Sequence, residues 1–305
     1  MDNILILGGT GFVGRQLRER LAAARLRLTI PTREAGHAGS EPAAPVRLVT
    51  ADVHDPDALA RLMRGQDAVV NLVAILHGTA ERFEQVHVAL PRSIASACAS
   101  AGVRRLVHVS ALGADPAGPS MYQRSKARGE AVLQAAAEAG TLDLTVLRPS
   151  VIFGAGDQFL NVFAQLQRVF PVIPLAGADT RFQPVWVGDV AAAVQRCLQD
   201  DATIGKTYEA CGPEVLRLRE LVRLAGQWSG VAGGRGRPVF ALPMPLARLQ
   251  AWVMERLPGE PLMTRDNLDS MAVDNVASGR LPGLQALDIT PAALADIAPG
   301  YLARR

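Results

Sequence analysis

Short strand-forming runs alternate with amphipathic stretches along the first half of the 305-residue chain. The runs predict strands at Asn3–Leu7, Arg27–Pro31, Val46–Ala51, Ala68–Leu72, Arg105–Ser110 and Asp143–Arg148. The stretches between them predict helices that include Gly11–Ala24, Pro56–Met63 and Arg92–Ala101. Because this alternation is typical of βαβ units, we expect an α/β fold, a doubly wound parallel sheet with helices on both faces, known as the Rossmann fold.

The alternation of strand-forming runs and amphipathic stretches becomes irregular after Ile152. Prolines stand at positions 171, 174, 184, 213, 238, 243, 245, 258 and 261, and glycines cluster at 230–236. We therefore predict a dinucleotide-binding domain over residues 1–151. Residues 152–305 are predicted to form a mixed region that returns to the sheet in part and builds a smaller lobe for substrate or partner.

The segment Pro243–Leu257 within that lobe is predicted to form an amphipathic helix. Leu246, Leu249, Trp252 and Val253 lie on one side of it. The favoured interpretation is that this helix packs into the small lobe or covers the substrate cleft. Docking on a membrane protein or a lipid surface is the alternative.

Composition excludes several functional classes. The chain is 49% hydrophobic and 20% charged, with a formal net charge of +3, and it has no basic run with interleaved aromatics, so nucleic acid is not an expected partner. Cys98, Cys197 and Cys211 stand far apart and the histidines lack metal-ligand spacing, so neither a disulfide framework nor a metal site is predicted. No export signal or membrane-spanning run is visible, and a cytoplasmic location is expected.

A glycine turn follows the first predicted strand and opens the first predicted helix. Gly8, Gly11 and Gly14 form a G-x-x-G-x-x-G motif. Glycines let the backbone approach a pyrophosphate closely, and the N–H groups at the start of the helix favour the anion. The predicted cofactor-binding residues of this turn are Gly8, Thr10, Gly11, Phe12, Val13 and Gly14.

The ends of the second and third strands bear on the choice of dinucleotide. NAD-binding folds usually place a carboxylate after the second strand, whereas this chain has Arg33 there, which can bind a 2′-phosphate. NADP(H) is therefore the favoured cofactor, although Glu34 keeps NAD(H) open. Asp52 and Val53 are candidates to meet the adenine ring, and Asp52 can equally form a turn.

Tyr122 and Lys126 are four residues apart at the start of a predicted helical run. That spacing places both side chains on one helix face, where they can reach the same cofactor and substrate. An ammonium close to the phenol favours the phenolate, which would make Tyr122 a proton donor or acceptor near neutral pH. Lys126 is also expected to hydrogen-bond the nicotinamide ribose.

These motifs together resemble the extended branch of the short-chain dehydrogenase/reductase superfamily, whose members include NAD(P)-dependent epimerases and dehydratases. The resemblance covers most of the chain and rests on GGTGFVG, Asp52-Val53, Tyr122 with Lys126, Arg148–Gly154 and Pro184–Val190. It implies binding of NAD(P)(H) at the glycine turn and hydride transfer by Ser or Thr, Tyr and Lys. This chain departs from the pattern, because Ala111 occupies the position of the usual hydroxyl. Ser110 is the candidate to replace it, or it caps the end of the strand.

The second half of the chain resembles a narrower branch. This branch of atypical members includes the 39 kDa accessory subunit of respiratory complex I and its bacterial relatives. The similar segments are Tyr208–Pro213, Leu257–Asn267, Asp274–Val276, Asp288–Pro291 and Ala298–Tyr301. The resemblance implies a tightly held NADPH with an accessory, assembly or regulatory role. It also implies a partner that is a membrane-associated respiratory or quinone-biosynthesis protein, and a peripheral location at the inner face of the membrane.

Two alternatives stay open beside this accessory role. One is an active NADP-dependent oxidoreductase or epimerase that acts on a quinone precursor, a sugar nucleotide or another small carbonyl compound. The other is a redox-sensing regulator that binds a partner protein according to the state of its cofactor. The oligomeric state does not follow from the sequence.

Overall fold

The computed structural model describes residues 1–33, 46–256, 258, 259 and 261–303. Glu34 and Leu257 lie outside the described residues. The strands are β1 (Asn3–Leu7), β2 (Arg27–Thr32), β3 (Val46–Thr50), β4 (Ala68–Asn71), β5 (Arg105–Val109), β6 (Asp143–Pro149), β7 (Ile152–Phe153), β8 (Ile173–Leu175), β9 (Arg181–Phe182), β10 (Val185–Trp186), β11 (Thr207–Ala210), β12 (Leu216–Arg217) and β13 (Val239–Ala241). The α-helices are α1 (Phe12–Ala23), α2 (Pro56–Met63), α3 (Ala80–Glu84), α4 (Leu90–Ala101), α5 (Met121–Glu138), α6 (Leu160–Val169), α7 (Val187–Gln199), α8 (Leu218–Trp228), α9 (Met244–Met254), α10 (Arg265–Ser270) and α11 (Leu294–Leu302).

The central sheet has seven strands in the order β11-β6-β5-β4-β1-β2-β3. Every neighbouring pair in it is parallel. The chain leaves β1 in one direction through β2 and β3, and in the other direction through β4 and β5. The crevice between the carboxyl ends of β1 and β4 is therefore the topological switch point, where folds of this kind bind ligands. The predicted doubly wound α/β fold is confirmed.

The strands of this sheet are buried on both faces. In β1 the alternate residues Ile4 and Ile6 pack with α1 and α7, whereas Leu5 and Leu7 pack with α2, α4 and α5. All four are 0% exposed. Because side chains alternate between the two faces of a strand, an uninterrupted apolar run at the start of the chain serves both helix layers.

The second half of the chain contributes the edge strand β11 to the main sheet and then forms smaller elements. Three two-stranded sheets pair β10 with β7, β12 with β9, and β13 with β8. α6, α8 and α11 pack around a separate core that includes Leu160, Leu221 and Leu294. The described structure thus has the smaller mixed lobe that the sequence predicts.

Helix α9 packs on the small lobe, as the favoured interpretation expects, but not through its large apolar side chains. Its side chains Leu246, Leu249, Trp252 and Val253 are between 42% and 57% exposed, and the helix packs on the lobe through Ala247 and Ala251 instead. The large apolar side chains therefore face outward rather than into the lobe. In the part of the chain that the structure describes, no helix has the length and hydropathy to cross a bilayer.

Candidate functional site

The glycine turn lies at the carboxyl end of β1 and leaves almost no space for side chains at Gly8 and Gly14. Gly8 has a φ of +82°, and a Cβ on it would lie 3.2 Å from the backbone of Leu72 and Val73 in the neighbouring connection. A Cβ on Gly14 would overlap the carbonyl oxygen of Gly8 and lie 2.6 Å from Gly9 Cα. The N–H of Gly11 donates to Gly8 O at 3.1 Å and closes the turn. Gly8 and Gly14 are therefore required by backbone geometry.

The start of α1 is suited to hold an anion. Its N-cap is Gly11, which has no side chain to cap the helix, and its first turn contains no acidic residue. The first N–H groups are thus available to a phosphate, and the helix dipole favours negative charge there. Thr10, Phe12 and Val13 are partly buried beside this turn. The structure brings together all six predicted residues of the motif.

Arg33, Asp52 and Val53 lie where β2 and β3 end. Arg33 is exposed, and Val53 packs against the core beneath the sheet. Asp52 accepts a hydrogen bond from the N–H of His54 at 2.9 Å, so it does form the turn that was its alternative role. Burial lowers the pKa of His54, and the nearby charges of Arg82 and Arg33 lower it further against the opposing effect of Asp52. The charges of Arg82 and Arg33 therefore act on His54 at this end of the sheet.

The helix α5 carries Tyr122 and Lys126, and its N-terminus is fixed by three side chains. Ser120 and Gln123 form a capping box, with Gln123 N donating to Ser120 Oγ at 3.1 Å. Asp266, from α10 in the C-terminal lobe, accepts the N–H of Met121 at 2.6 Å and that of Tyr122 at 3.1 Å. A carboxylate at this position satisfies two free helix N–H groups and complements the helix dipole. The lobe thus holds the end of the helix that bears Tyr122.

Lys126 is a buried cation at the carboxyl end of β5. It is 2% exposed, and its Nζ donates to the carbonyl oxygen of Val109 at 3.0 Å. Burial lowers its pKa to about 8, against the raising effect of Glu130 one helical turn further on. Glu130 is itself paired with Arg148 at 2.5 Å. An ammonium has three donors, so Lys126 can donate to ligand hydroxyls while it keeps its bond to Val109.

Tyr122 does not behave as the sequence interpretation expected. Burial raises its pKa to about 12, and no lowering effect of Lys126 opposes this shift. The expectation that the ammonium favours a phenolate near neutral pH is therefore wrong for this structure. The ring of Tyr122 packs edge-on against Phe83 and His87, with centroids 6.4 and 5.6 Å away. The phenol is held in place as a neutral group.

Ser110 and Ala111 follow directly after β5. Ser110 is 5% exposed, and its Oγ has no hydrogen-bond partner among the described residues. A buried hydroxyl without a partner costs about 1–3 kcal/mol, which a bound ligand can recover. Ala111 is 7% exposed and brings no polar side chain to the position of the usual catalytic hydroxyl.

A network centred on His87 ties this region together, and sequence reasoning missed it. The N–H of Ile75 donates to His87 Nε2 at 3.1 Å, so the ring proton is on Nδ1, which lies 2.8 Å from Ser125 Oγ. The Ser125 hydroxyl in turn donates to the carbonyl of Tyr122 at 2.9 Å. Burial lowers the pKa of His87 to about 3, so the ring stays neutral. His87 lies in a π-helical turn, Gln85–Ala89, an irregularity common at functional sites.

Asp266 is the second residue that the sequence interpretation missed. The capping box of α10, formed by Thr264 and Asn267, is readable from its spacing. Nothing in that pattern indicates that the intervening Asp266 would reach α5, which is 144 residues away along the chain. The contact between Asp266 and α5 depends on how the lobe packs against α5. The hydrophobic pattern of the sequence does not indicate this packing.

The assembled site fits a dinucleotide. The start of α1 presents backbone N–H groups, and Lys126 lies at the carboxyl end of β5 with donors beyond its bond to Val109. Ser110, just after β5, has a buried hydroxyl without a partner among the described residues. A nicotinamide cofactor, when bound, supplies hydride chemistry. The residues of this chain would hold its phosphates and its ribose, while Tyr122 stays protonated at neutral pH.

Comparison with known proteins also indicates a protein that binds a nicotinamide dinucleotide. The model of the NAD dependent epimerase/dehydratase family matches residues 4–211. The chain is 32% identical to "NADH dehydrogenase [ubiquinone] 1 alpha subcomplex subunit 9, mitochondrial" from Mus musculus, over 95% of this chain and 76% of that protein. It is 31% identical to "Ceramide reductase" from Caulobacter vibrioides, over 79% of this chain and 71% of that protein.

A solved structure supports the fold. The dTDP-glucose 4,6-dehydratase DesIV from Streptomyces venezuelae, with NAD and TYD bound, superimposes with a TM-score of 0.76 at 20% identity, covering 98% of this chain and 95% of that one. The resemblance to the extended short-chain dehydrogenase/reductases and to their complex I branch is confirmed, and the cofactor is a nicotinamide dinucleotide. The chain belongs to the NAD dependent epimerase/dehydratase family.

Proposed function

We propose that this protein holds NADP(H) tightly and serves an accessory, assembly or regulatory role at a membrane-associated respiratory or quinone-biosynthesis complex. The observation that carries the proposal is the contrast within the site. The glycine turn and Lys126 are suited to hold the dinucleotide, whereas Ala111 brings no hydroxyl to the position where the family pattern has one. Without that hydroxyl, a substrate carbonyl loses a donor that would stabilise the transition state.

The similarity to the mouse mitochondrial protein supports this role, because it extends over 95% of the chain and includes the C-terminal lobe. We further propose that residues 1–151 form the dinucleotide-binding domain and residues 152–305 the partner or substrate lobe. The proposed location is cytoplasmic, peripheral at the inner face of the membrane.

Purified protein is expected to carry about one NADP(H) per chain and to turn it over negligibly. The cofactor is released by denaturation and quantified by chromatography and absorbance, and oxidation of NADPH is followed with quinones, sugar nucleotides and long-chain ketones. Lys126→Met is expected to lower retention at least tenfold, since loss of a charged hydrogen bond costs about 1.5–3 kcal/mol. Tyr122→Phe, the matched control on the same helix face, should keep its cofactor. Steady turnover that Tyr122→Phe abolishes would overturn the accessory role.

The preference for NADP(H) over NAD(H) rests on the charges at the end of β2. Arg33 is exposed there. Burial is the main cause that lowers the pKa of His54, and the charges of Arg82 and Arg33 act in the same direction. A 2′-phosphate placed in this region would gain charged donors, whereas an NAD ribose would meet no carboxylate among the described residues of this strand end.

Arg33→Ala is expected to lower NADPH affinity about tenfold to a hundredfold and to leave NADH affinity nearly unchanged, because one charge-assisted contact is worth about 1.5–3 kcal/mol. Arg61→Ala removes an exposed arginine from the last turn of α2 and serves as the control. Both dissociation constants are measured by fluorescence titration of protein stripped of its cofactor. Tighter binding of NADH by the unmodified protein would contradict the proposed preference.

An active NADP-dependent reductase is the second candidate, and Ser110 is the observation that favours it. Its buried hydroxyl has no partner among the described residues, so it can bind a carbonyl oxygen in place of the missing hydroxyl at position 111. The 31% identity to a ceramide reductase supports a substrate with a carbonyl group on a lipid chain. The turnover assay described above separates this candidate from the accessory role.

A further inference from the structure

We propose that the outward face of α9 docks on the surface of an anionic lipid bilayer. The outward face is defined here by Leu246, Leu249, Trp252 and Val253, together with Arg256 just after the helix. The inference rests on the peripheral location proposed above and assigns the element that makes the contact. It does not depend on whether the site turns over its cofactor.

The helix presents its large side chains to solvent and its small ones to the protein. Ala247 and Ala251 are 0% exposed and pack with Ala176 and Leu268, whereas Leu249 is 57% and Leu246 54% exposed. At 100° per residue, Leu246, Leu249 and Val253 fall within one narrow arc opposite the two alanines. Soluble proteins rarely leave such a continuous apolar row open to water unless it contacts a partner or a membrane.

An exposed arginine stands at the end of this face. Arg256 has no ion pair among the described residues, whereas Arg248 and Arg265 are paired with Asp269 and Glu255. A local positive charge beside an exposed apolar helix face is complementary to an anionic lipid surface.

The chemistry of the face suits the boundary between lipid headgroups and acyl chains. The guanidinium of Arg256 lies 3.7 Å from the ring centroid of Trp252. Tryptophan and arginine both carry an apolar body and a polar end, so they are stable at this depth. Glu255, the carboxylate closest in sequence, is turned to Arg265 at 2.9 Å and does not interrupt the apolar row.

A lipid surface fits this face better than a protein partner does. Protein interfaces have a polar rim with direct hydrogen bonds around their apolar centre. The outward face instead offers four apolar side chains in a row on one helix, and its hydrogen-bonding side-chain groups are the indole and the guanidinium. Binding that uses shallow insertion and general attraction to negative charge needs no more than this.

The same helix is linked to the dinucleotide site through α10. Arg248 pairs with Asp269 at 2.7 Å, and Glu255 pairs with Arg265. α10 in turn holds the site through Asp266 at Tyr122 and through Asn267, whose Nδ2 donates to Leu76 O at 3.3 Å. The outward face of α9 is therefore connected to the Tyr122 end of the cleft through α10.

The test is flotation of the full chain with vesicles. Vesicles of phosphatidylcholine and phosphatidylglycerol at 3:1 are compared with pure phosphatidylcholine, for the unmodified protein and for Leu249→Ser/Trp252→Ser. We expect binding to the anionic vesicles only, and at least a tenfold loss in the double variant. Val215→Ser/Val273→Ser, which removes two exposed apolar side chains elsewhere, is the matched control. Unchanged melting temperatures show that the variants are folded.

The outcomes separate this inference from the peripheral location itself. If the unmodified protein floats with anionic vesicles and the α9 variant floats equally well, the assignment to α9 is wrong while the location stands. If the unmodified protein binds neither kind of vesicle, the lipid proposal is wrong, while the peripheral location at a membrane-associated complex stands. If it binds no vesicle but the α9 substitutions dissociate a dimer seen by light scattering, the face is an interface between copies of the chain, and the lipid proposal fails.

Discussion

Replacing Gly14 with alanine is expected to abolish retention of the dinucleotide. The added Cβ would overlap Gly8 O and lie 2.6 Å from Gly9 Cα, and both are backbone atoms that no side-chain rotation can move. The turn and α1 must therefore separate, which takes the N–H groups away from the position of the pyrophosphate. We expect affinity to fall at least a hundredfold, about 3 kcal/mol, since several hydrogen bonds to one anion are lost together.

The measurement is the ratio of cofactor to protein after gel filtration, with affinity from titration of the stripped protein. Gly300→Ala is the control, because that glycine lies in the helix α11 and a Cβ on it would meet nothing within 4 Å. Alanine there should leave binding unchanged and stability equal or slightly higher. If Gly14→Ala kept its cofactor, the glycine turn would not be the phosphate site.

The second large effect is expected at Gly129, where α5 crosses the π-helical turn. A Cβ on this residue would overlap the carbonyl oxygen of His87 and lie 3.1 Å from its carbonyl carbon. Backbone on both sides leaves no easy relaxation, so Gly129→Ala is expected to lower the free energy of unfolding by about 3 kcal/mol. The corresponding fall in melting temperature is about 5–10 °C.

Gly129→Ala should also disturb the hydrogen bonds from Ile75 through His87 and Ser125 to Tyr122. Thermal unfolding with bound cofactor, beside the same Gly300→Ala control, measures the stability change. A melting temperature within about 1 °C of the unmodified protein would show that the contact between α5 and the π-helical turn is not as close as described.

Most strands of the sheet could be predicted because the residues within and next to each strand are enough to indicate it. β1 runs from Asn3 to Leu7 in both the sequence interpretation and the structure, since an apolar run followed by a glycine turn determines it without help from distant residues. The edge strand β11 has only four residues and was not drawn from the sequence. Its place beside β6 depends on a parallel crossover, which local patterns do not encode.

The residues of the candidate site could be proposed from the sequence, but the pKa values of their side chains could not. The spacing of Tyr122 and Lys126 places them correctly on α5, yet the pKa of each depends on burial by elements far along the chain. The same holds for Asp266, whose role exists only after the lobe has packed against α5. For α9, the amphipathic pattern predicted the helix. It did not indicate that the side with Ala247 and Ala251 would face inward.

The carboxylate of Asp266 has a consequence for how such proteins diversify. The stretch that defines the family ends at residue 211, but the helix bearing Tyr122 is completed by a residue 55 positions later. A lobe recruited from a relative would bring its own side chain to that position and reset the helix end with it. A change in the lobe that moved α10 would therefore also free the N–H groups of Met121 and Tyr122, and the two halves of the chain are not structurally independent.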